Sequence, residues 1–408
     1  MDNTDRVRDA ALRLQAELAD ERTPFVSDEW YVAAFADEVT RTPLARRLLG
    51  IPVVLLRRTD GGVAALEDRC PHRSMPLSLG TLEGDTLVCG YHGARFGCDG
   101  VCSGVPSQAV VPPGARTRAF PVEQHGPLVW IWMGAGAPPQ APPHPGWIDD
   151  AGWAASRQKL HMKASYVRLH ENLLDLTHLS FLHARTFGTP DYASAPYETA
   201  IDAEAGRFVI TRSVVPTRLP PIWAKPTGLD GVDAARIASS TFVSPALHEV
   251  RVAFHACDRP AAEQPSRAIR TAHIVTPESA TSTHYFIHHA RNFALEDGAI
   301  TAFMHEQLLA AFQEDIDGLE AIERNLASYP PGTAHEISFH ADRPSLAMRR
   351  WLKQRLRPDG KGRGSRWGPP GGRRRYGGVN SAASRCRPRC APSPGCAGRR
   401  RCGRPGSC

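Results

Sequence analysis

The stretch CPHRSMPLSLGTLEGDTLVCGYH, residues 70–92, carries a Cys-His pair at each end: Cys70-x-His72, sixteen residues, then Cys89-x-x-His92. Thiolate and imidazole are soft and borderline metal ligands, so four of them at this spacing imply a metal centre. A structural zinc site would accept two Cys and two His. A zinc finger, however, groups its cysteines together and its histidines together. Here each arm supplies one of each, and both arms fall in loops between short β-type runs.

A second concentration lies in HENLLDLTHLSFLH, residues 170–183. Asn172, Asp175 and His178 recur every three residues and would share one side of a helix. His178 and His183 stand about 140° apart around an ideal helix and about 7.5 Å along it, so one metal could take both only if the helix ends or bulges between them. Capping or core hydrogen bonding is the plainer use of such histidines. A third candidate ligand comes from HEQLLAAFQEDIDGLEAIERN. On its helical wheel Asp315 projects among Leu308, Phe312, Leu319 and Ile322, while Glu314 and Asp317 point elsewhere. A carboxylate aimed at an apolar face is costly unless a cation meets it. Two imidazoles and one carboxylate make a facial triad, which leaves coordination positions open on Fe(II). Asp175, three residues before His178, is placed to hydrogen-bond a ligand histidine. Asn172 faces the same side, as ligand or as framework.

These residues need elements to hold them. From about Trp30 to Met133 the sequence gives short runs such as GIPVVLLRR, GVAALED, DTLVCGY and PLVWIWMG between Gly and Pro breakers, the pattern of a small all-β domain. The Pro-rich GAPPQAPPHPGW is a joint. The segment ASYVRLHENLLDLTHLSFLH starts strand-like and turns helical. Alternating runs such as RFVITRSVV and STHYFIHHARNF then read as antiparallel strands, and a helix from about Thr301 to Ser328 closes an α+β domain. The expected organisation is an N-terminal helix (1–24), a β domain (25–150), an α+β domain (151–356) and a tail (357–408). Strands at 240–293 and the segment before Asp315 are the expected pocket walls. There His284, His288, His289 and Asn292 are candidates to orient a polar substituent, His284 and Asn292 foremost, against the plainer reading of core or strand-surface residues.

The net charge of +7 over 408 residues is unevenly spread. Residues 357–408 hold fourteen Lys/Arg and one acid, which leaves 35 bases and 41 acids, net −6, for the rest. The basic balance therefore belongs to a tail of Arg, Gly, Pro and Cys without apolar periodicity, as expected for a disordered or out-of-frame extension. Nucleic-acid binding rests on that tail alone. Five cysteines remain in the body, too few and too odd for a disulfide framework. No stretch is long enough to span a membrane and the N-terminus is not a signal peptide, so a cytoplasmic protein is expected.

The pair of loops C70-P-H72 and C89-G-Y-H92-G resembles the Rieske iron–sulfur domain, in which two cysteines hold one iron of a [2Fe-2S] cluster and two histidines the other. Respiratory members carry an extra cysteine in each loop; here Met75 and Tyr91 stand there. Where those members place cluster-bonding hydroxyls, this chain has Ala94 and Phe96. Fewer hydrogen bonds to the sulfurs imply a lower potential. Cys98 and Cys102 do not replace the missing pair and read as loop thiols. N172-L-L-D175-L-T-H178-x4-H183 and E314-D315 extend the resemblance to the oxygenase components of Rieske non-haem iron systems along nearly all of residues 25–356. The branch containing vanillate O-demethylases and dicamba monooxygenases is the nearest, with DEWYVAA and DRPSLAMRR also fitting.

That resemblance implies a helix-grip (START-like) α+β catalytic domain, a mononuclear Fe(II) held by His178, His183 and Asp315, and a homotrimer in which Asp175 bridges two metal sites across a subunit boundary. It also implies a separate NAD(P)H-dependent flavin/iron–sulfur reductase, since no nucleotide-binding glycine motif opens a βαβ unit here. The substrate implied is a small methoxylated or carboxylated aromatic, oxidised by O2 with demethylation. Ring cis-dihydroxylation and a plain electron-transfer protein are the alternatives.

Overall fold

A computed structural model describes residues 3–330 and 333–356. The expectations placed on 357–408 lie outside the described residues. A helix, α1 (Asn3–Ala16), precedes a run of short strands: β1 (Trp30–Phe35), β2 (Leu44–Leu48), β3 (Ile51–Arg57), β4 (Val63–Glu67), β5 (Thr81–Glu83), β6 (Thr86–Val88), β7 (Arg95–Phe96), β8 (Cys102–Gly104), β9 (Ala119–Phe120), β10 (Val122–His125) and β11 (Leu128–Trp132). They form three antiparallel sheets, β1-β11-β10, β2-β3-β4-β9 and β5-β6-β7-β8. The first two share a core of Trp30, Val53, Leu55, Trp130 and their neighbours. The third closes a smaller core around Leu77, Leu87, Cys89 and Phe96.

The C-terminal half begins with β12 (Ala154–Met162) and continues through α2 (Tyr166–Leu173), β13 (Tyr197–Asp202), β14 (Arg207–Arg218), α3 (Pro221–Thr227), β15 (Asp233–Ser244), β16 (Leu247–Ala256), β17 (Arg267–Ser279), β18 (Ser282–Arg291), α4 (Gly298–Ala327) and α5 (Arg343–Gln354). Seven strands make one antiparallel sheet ordered β12-β18-β17-β16-β15-β14-β13. One face packs on α2 and α4 through Leu169, Leu173, Ile287, Leu308 and Phe312. The other face meets the N-terminal half: Ala272, Ile274, Phe286 and Ala290 join the core of Trp30 and Trp130. Strands β17 and β18 are therefore buried on both sides, while β13 exposes much of its length. Long helices over one face of a largely antiparallel sheet make this an α+β protein.

Two local expectations need correction. Residues 164–173 are not strand-like at their start: β12 ends at Met162, and Ser165 caps α2 by accepting from the Val167 N–H at 3.3 Å. And α2 ends at Leu173, well before His178, so Asn172, Asp175 and His178 do not share one helix. The chain unwinds at Leu174 and re-forms a single 3-10 turn over His178–Ser180. Leu176 and Leu179 are buried on either side of that unwinding, so apolar anchoring draws the segment inward without helical hydrogen bonds.

Candidate metal centres and active site

The two Cys-His loops have the same backbone construction. Cys70 N–H donates to Met75 O at 2.8 Å and Ser74 N–H returns to Cys70 O at 2.9 Å. Likewise Cys89 N–H donates to Ala94 O at 2.8 Å and Gly93 N–H to Cys89 O at 3.0 Å. Both turns need a left-handed residue at the fourth place after the cysteine, Ser74 with φ 56° and Gly93 with φ 70°. The turns project both cysteines into the small core, where their side chains meet each other. The histidines stay exposed, Nδ1 to Nδ1 at 3.2 Å, and Tyr91 stacks on His92. Burial and the neighbouring Cys89 push the Cys70 thiol up, so two thiolates could sit here only beside a cation.

Across the molecule α4 carries Asp315 on its buried face, as its helical position requires. Three donors surround it: Asn172 Nδ2 at 3.0 Å and His183 Nε2 at 3.1 Å from Oδ1, and His178 Nε2 at 3.6 Å. One ligand atom from each of His178, His183 and Asp315 lies within 4.8 Å of the others. Among the described residues this is the only such group of three or more. The four loop ligands thus do not converge on one point, as a tetrahedral zinc site would need. A pair of cysteines and a pair of histidines held apart suits a cluster with two irons. Burial alone would raise the Asp315 carboxyl, but His183, then His178 and Asn172, outweigh it and hold it below its ordinary value.

Sequence reasoning placed Glu314 away from the site, and the structure corrects this. Its Oε2 accepts from His183 Nδ1 at 2.9 Å and from Thr186 Oγ1 at 2.7 Å. The cause is the loop after His183, which folds back over the flank of α4. Gly188 allows that return: a Cβ there would stand 1.9 Å from Leu179 O. Ile322, expected on the apolar face, is exposed beyond the last buried turn.

Asp175 lies outside the triad, with Oδ2 3.6 Å from His178 Nδ1. That is ion-pair range, longer than a hydrogen bond. Its other oxygen is fixed by the Thr177 N–H at 2.6 Å. Burial would raise this carboxyl, but His178 and Thr177 together hold it low.

Comparison with known proteins decides the family. A model described as Rieske [2Fe-2S] domain matches residues 29–117, and one described as Vanillate O-demethylase oxygenase C-terminal domain matches 162–357. The putative toluene-4-sulfonate monooxygenase system iron-sulfur subunit of Comamonas testosteroni is 37% identical over 81% of this chain and 96% of its own length. The vanillate O-demethylase oxygenase subunit of Pseudomonas sp. strain HR199 is 35% identical over 78% and 91%. A crystal structure of dicamba monooxygenase bound to 3,6-dichlorosalicylic acid superimposes with TM-score 0.76 at 29% identity, covering 81% of this chain and 98% of that one. The chain belongs to the Rieske non-haem iron oxygenases.

It is accordingly an enzyme, the oxygenase component of a multicomponent system, with a Rieske [2Fe-2S] cluster and a mononuclear iron as cofactors. The donor set fits both. Cys70, His72, Cys89 and His92 can hold the cluster, and His178, His183 and Asp315 the single iron. Among the described residues no helix is long and apolar enough to cross a membrane.

Behind the triad the oxygenase encloses a cavity of about 90 Å³. A water needs roughly 10–15 Å³ of such space, so the room corresponds to one small ring. Leu176, Trp223, Val252, Ile269, Leu308 and Phe312 give it apolar walls. Its polar lining is Tyr192, Arg236, Thr271, His273 and His289 besides the triad and Asn172. Of the histidines expected here only His289 belongs. His284 lies on the opposite face of β18, bonded to Arg47 O at 3.0 Å. His288, on that same face, packs on Trp147. Asn292 ties the strand end, with Oδ1 accepting from Ala268 N–H at 2.7 Å. Neither His284 nor Asn292 reaches the cavity. His273 and Arg236 were missed, because a strand buried on both faces does not reveal which face holds the cavity.

Proposed function

We propose that this oxygenase demethylates a small methoxylated or carboxylated aromatic at the iron of His178, His183 and Asp315. The observation that carries the reading is the triad's position on the wall of a partly open, ring-sized apolar cavity. Names of relatives, vanillate and dicamba O-demethylases among them, agree with it. When bound, the mononuclear iron supplies O2 activation with electrons delivered through the cluster. The chain's residues do the rest. The apolar walls hold the ring and exclude bulk water. Asn172 donates to Asp315 and fixes its carboxylate, and Glu314 fixes the ring of His183. Balanced overall, ArOCH3, O2, two electrons and two protons give ArOH, formaldehyde and water.

The electrons come from a separate protein, and an NAD(P)H-dependent flavin/iron–sulfur reductase fits that role. We further infer a head-to-tail homotrimer in the cytoplasm, with the exposed His72/His92 tip of one subunit docking over Asp175 of the next. The division into 1–24, 25–150, 151–356 and 357–408 belongs to this reading. Substrate-dependent O2 uptake with a surrogate reductase, across methoxybenzoates, phthalates and N-methyl heterocycles, tests it. Stoichiometric formaldehyde is the expected product. A ring diol would replace demethylation by dihydroxylation, and no uptake with any of them would remove the substrate class. Asp175→Asn should retain both iron centres yet slow turnover by at least about tenfold, the order expected when a partner of a ligand histidine is weakened. Unchanged turnover would take Asp175 out of the electron path.

A further inference from the structure

Two arginines are buried next to the cavity without an ion-pair partner among the described residues, although the charge of the exposed Asp191 acts on Arg236 from beyond contact range. Arg236 on β15 is 3% exposed and Arg212 on β14 is 1% exposed. Between them stands Tyr192, fully buried, with the Arg236 guanidinium 4.7 Å and the Arg212 guanidinium 5.4 Å from its ring centroid. Arg212 Nη1 is spent on the Tyr192 carbonyl. Arg236 Nη1 donates to Phe187 O at 2.8 Å. The Nε of both arginines and the Tyr192 hydroxyl are buried and have no hydrogen-bond partner. Of these three residues, Arg236 and Tyr192 line the cavity that the triad shares. Among the described residues no carboxylate lies within ion-pair reach of either guanidinium.

An uncompensated buried cation is costly, and so is an unpaired buried hydroxyl. Both costs are relieved if an oxyanion enters, because a guanidinium offers a planar fork that matches carboxylate or sulfonate oxygens. The rest of the cavity cannot balance the charge: Asp315 is already committed to the triad, and His273 and His289 stay neutral because burial holds them near pKa 4 and 3. We propose that Arg236, with the Tyr192 hydroxyl beside it, seats the acid group of an anionic aromatic substrate, a carboxylate or a sulfonate. This deepens the functional reading above and rests on it. One residue, Phe187, links the seat to His183. Arg236 bonds the Phe187 carbonyl, and the Phe187 ring lies against His183 with centroids 4.3 Å apart. Arg236 and the triad line the same cavity, so one bound ring can meet both.

The test is equilibrium binding by calorimetry on the intact holoenzyme, using acid and neutral isosteres in pairs. The probes are 3-methoxybenzoate against 3-methoxybenzamide, and toluene-4-sulfonate against toluene-4-sulfonamide. The wild type should favour at least one acid over its amide by about 10- to 100-fold, the range of a charge-assisted hydrogen bond out of water. The pair that shows the larger ratio tells carboxylate from sulfonate. In Arg236→Gln that ratio should collapse toward one with amide affinity kept, and Arg236→Lys should recover part of it. An acid preference that survives Arg236→Gln overturns the proposal. So does equal loss of acid and amide, which would mean that Arg236 only positions the Phe187 loop. Should Arg236→Gln fail to fold, Tyr192→Phe carries the test: acid binding several-fold weaker at unchanged amide binding supports the seat, and no change refutes it. Failure of the demethylation reading would show separately, as absent formaldehyde while the binding ratios remain measurable.

Discussion

A histidine that binds iron through one ring nitrogen carries a proton on the other, and that proton needs a fixed acceptor to hold the ring in place. For His183 the acceptor is Glu314, adjacent in sequence to the third ligand. His178 Nδ1 has only an ion-pair contact with Asp175, 3.6 Å away and without a hydrogen bond. The two second partners are unequal, and so should their losses be. Glu314→Ala leaves a buried N–H without an acceptor and should weaken iron retention by about 10- to 100-fold against a competing chelator, with the visible spectrum of the cluster unchanged. Equal retention in variant and wild type would remove Glu314 from the site. The ligands themselves were legible in sequence because types and spacings leave few chemical options: Cys-x-His with Cys-x-x-His, and an aspartate on an apolar helical face. Glu314 was not legible. Its helical position points it off that face, and only the return of the loop at Gly188 brings His183 to it.

At the scale of elements, the seven-stranded sheet explains both what the strands disclosed and what they hid. Alternation marked RFVITRSVV and STHYFIHHARNF as strands, and they fall in β14 and β18, yet every residue of β18 after Ser282 is buried. Period-two reasoning can then separate His284 and His288 from His289 but cannot say which set meets the cavity. Burial on both faces has a second consequence. His170, His273, His288 and His289 are held neutral by burial, with pKa near 4, 4, 4 and 3, and burial first, then His170 and His273, depresses His248 well below the usual value. The unfolded chain protonates these groups below about pH 6.5 whereas the folded chain does not until about pH 4 or lower. Their contribution to stability is therefore complete above the unfolded pKa and is lost as pH falls between those limits. Each can take away up to about 1.4 kcal/mol per pH unit. Glu29, Glu323 and Asp342, raised mainly by burial, act in the opposite sense, but they are fewer and less strongly shifted. Urea unfolding should show the midpoint dropping steeply from pH 6.5 to 5. A flat profile over that range would mean that the five imidazoles are solvated in the folded state.

For the whole molecule, the arrangement of exposed surface is the argument for assembly. The groove over Asp175 and His178 carries Phe181 at 77% exposure, with Ile322 and Ile337 also exposed. Four acids and two arginines line the same groove: Glu171 and Glu336 pair with Arg168 and Arg349, which leaves Asp175 and Asp342 as its excess negative charge. The cluster tip presents the exposed His72 and His92 between Arg69, Arg73 and Arg95. An apolar patch rimmed by acids and a basic tip on the same chain are complementary surfaces of the heterologous kind, which closes into a ring when the rotation permits. Charge at the centre of such a patch would be buried without a partner on assembly. Phe181→Asp should accordingly convert the trimer proposed above into monomers in sedimentation experiments. Its iron content and visible spectrum should match the wild type, because the Phe181 side chain is exposed and the backbone bond from its N–H to His178 O, 2.9 Å, does not depend on that side chain. Reductase-driven turnover should fall at least about tenfold, since the cluster and the iron that it feeds would no longer be held together by a shared interface. A monomeric wild type, or a monomeric variant that turns over at the wild-type rate, would place the whole electron path within one chain.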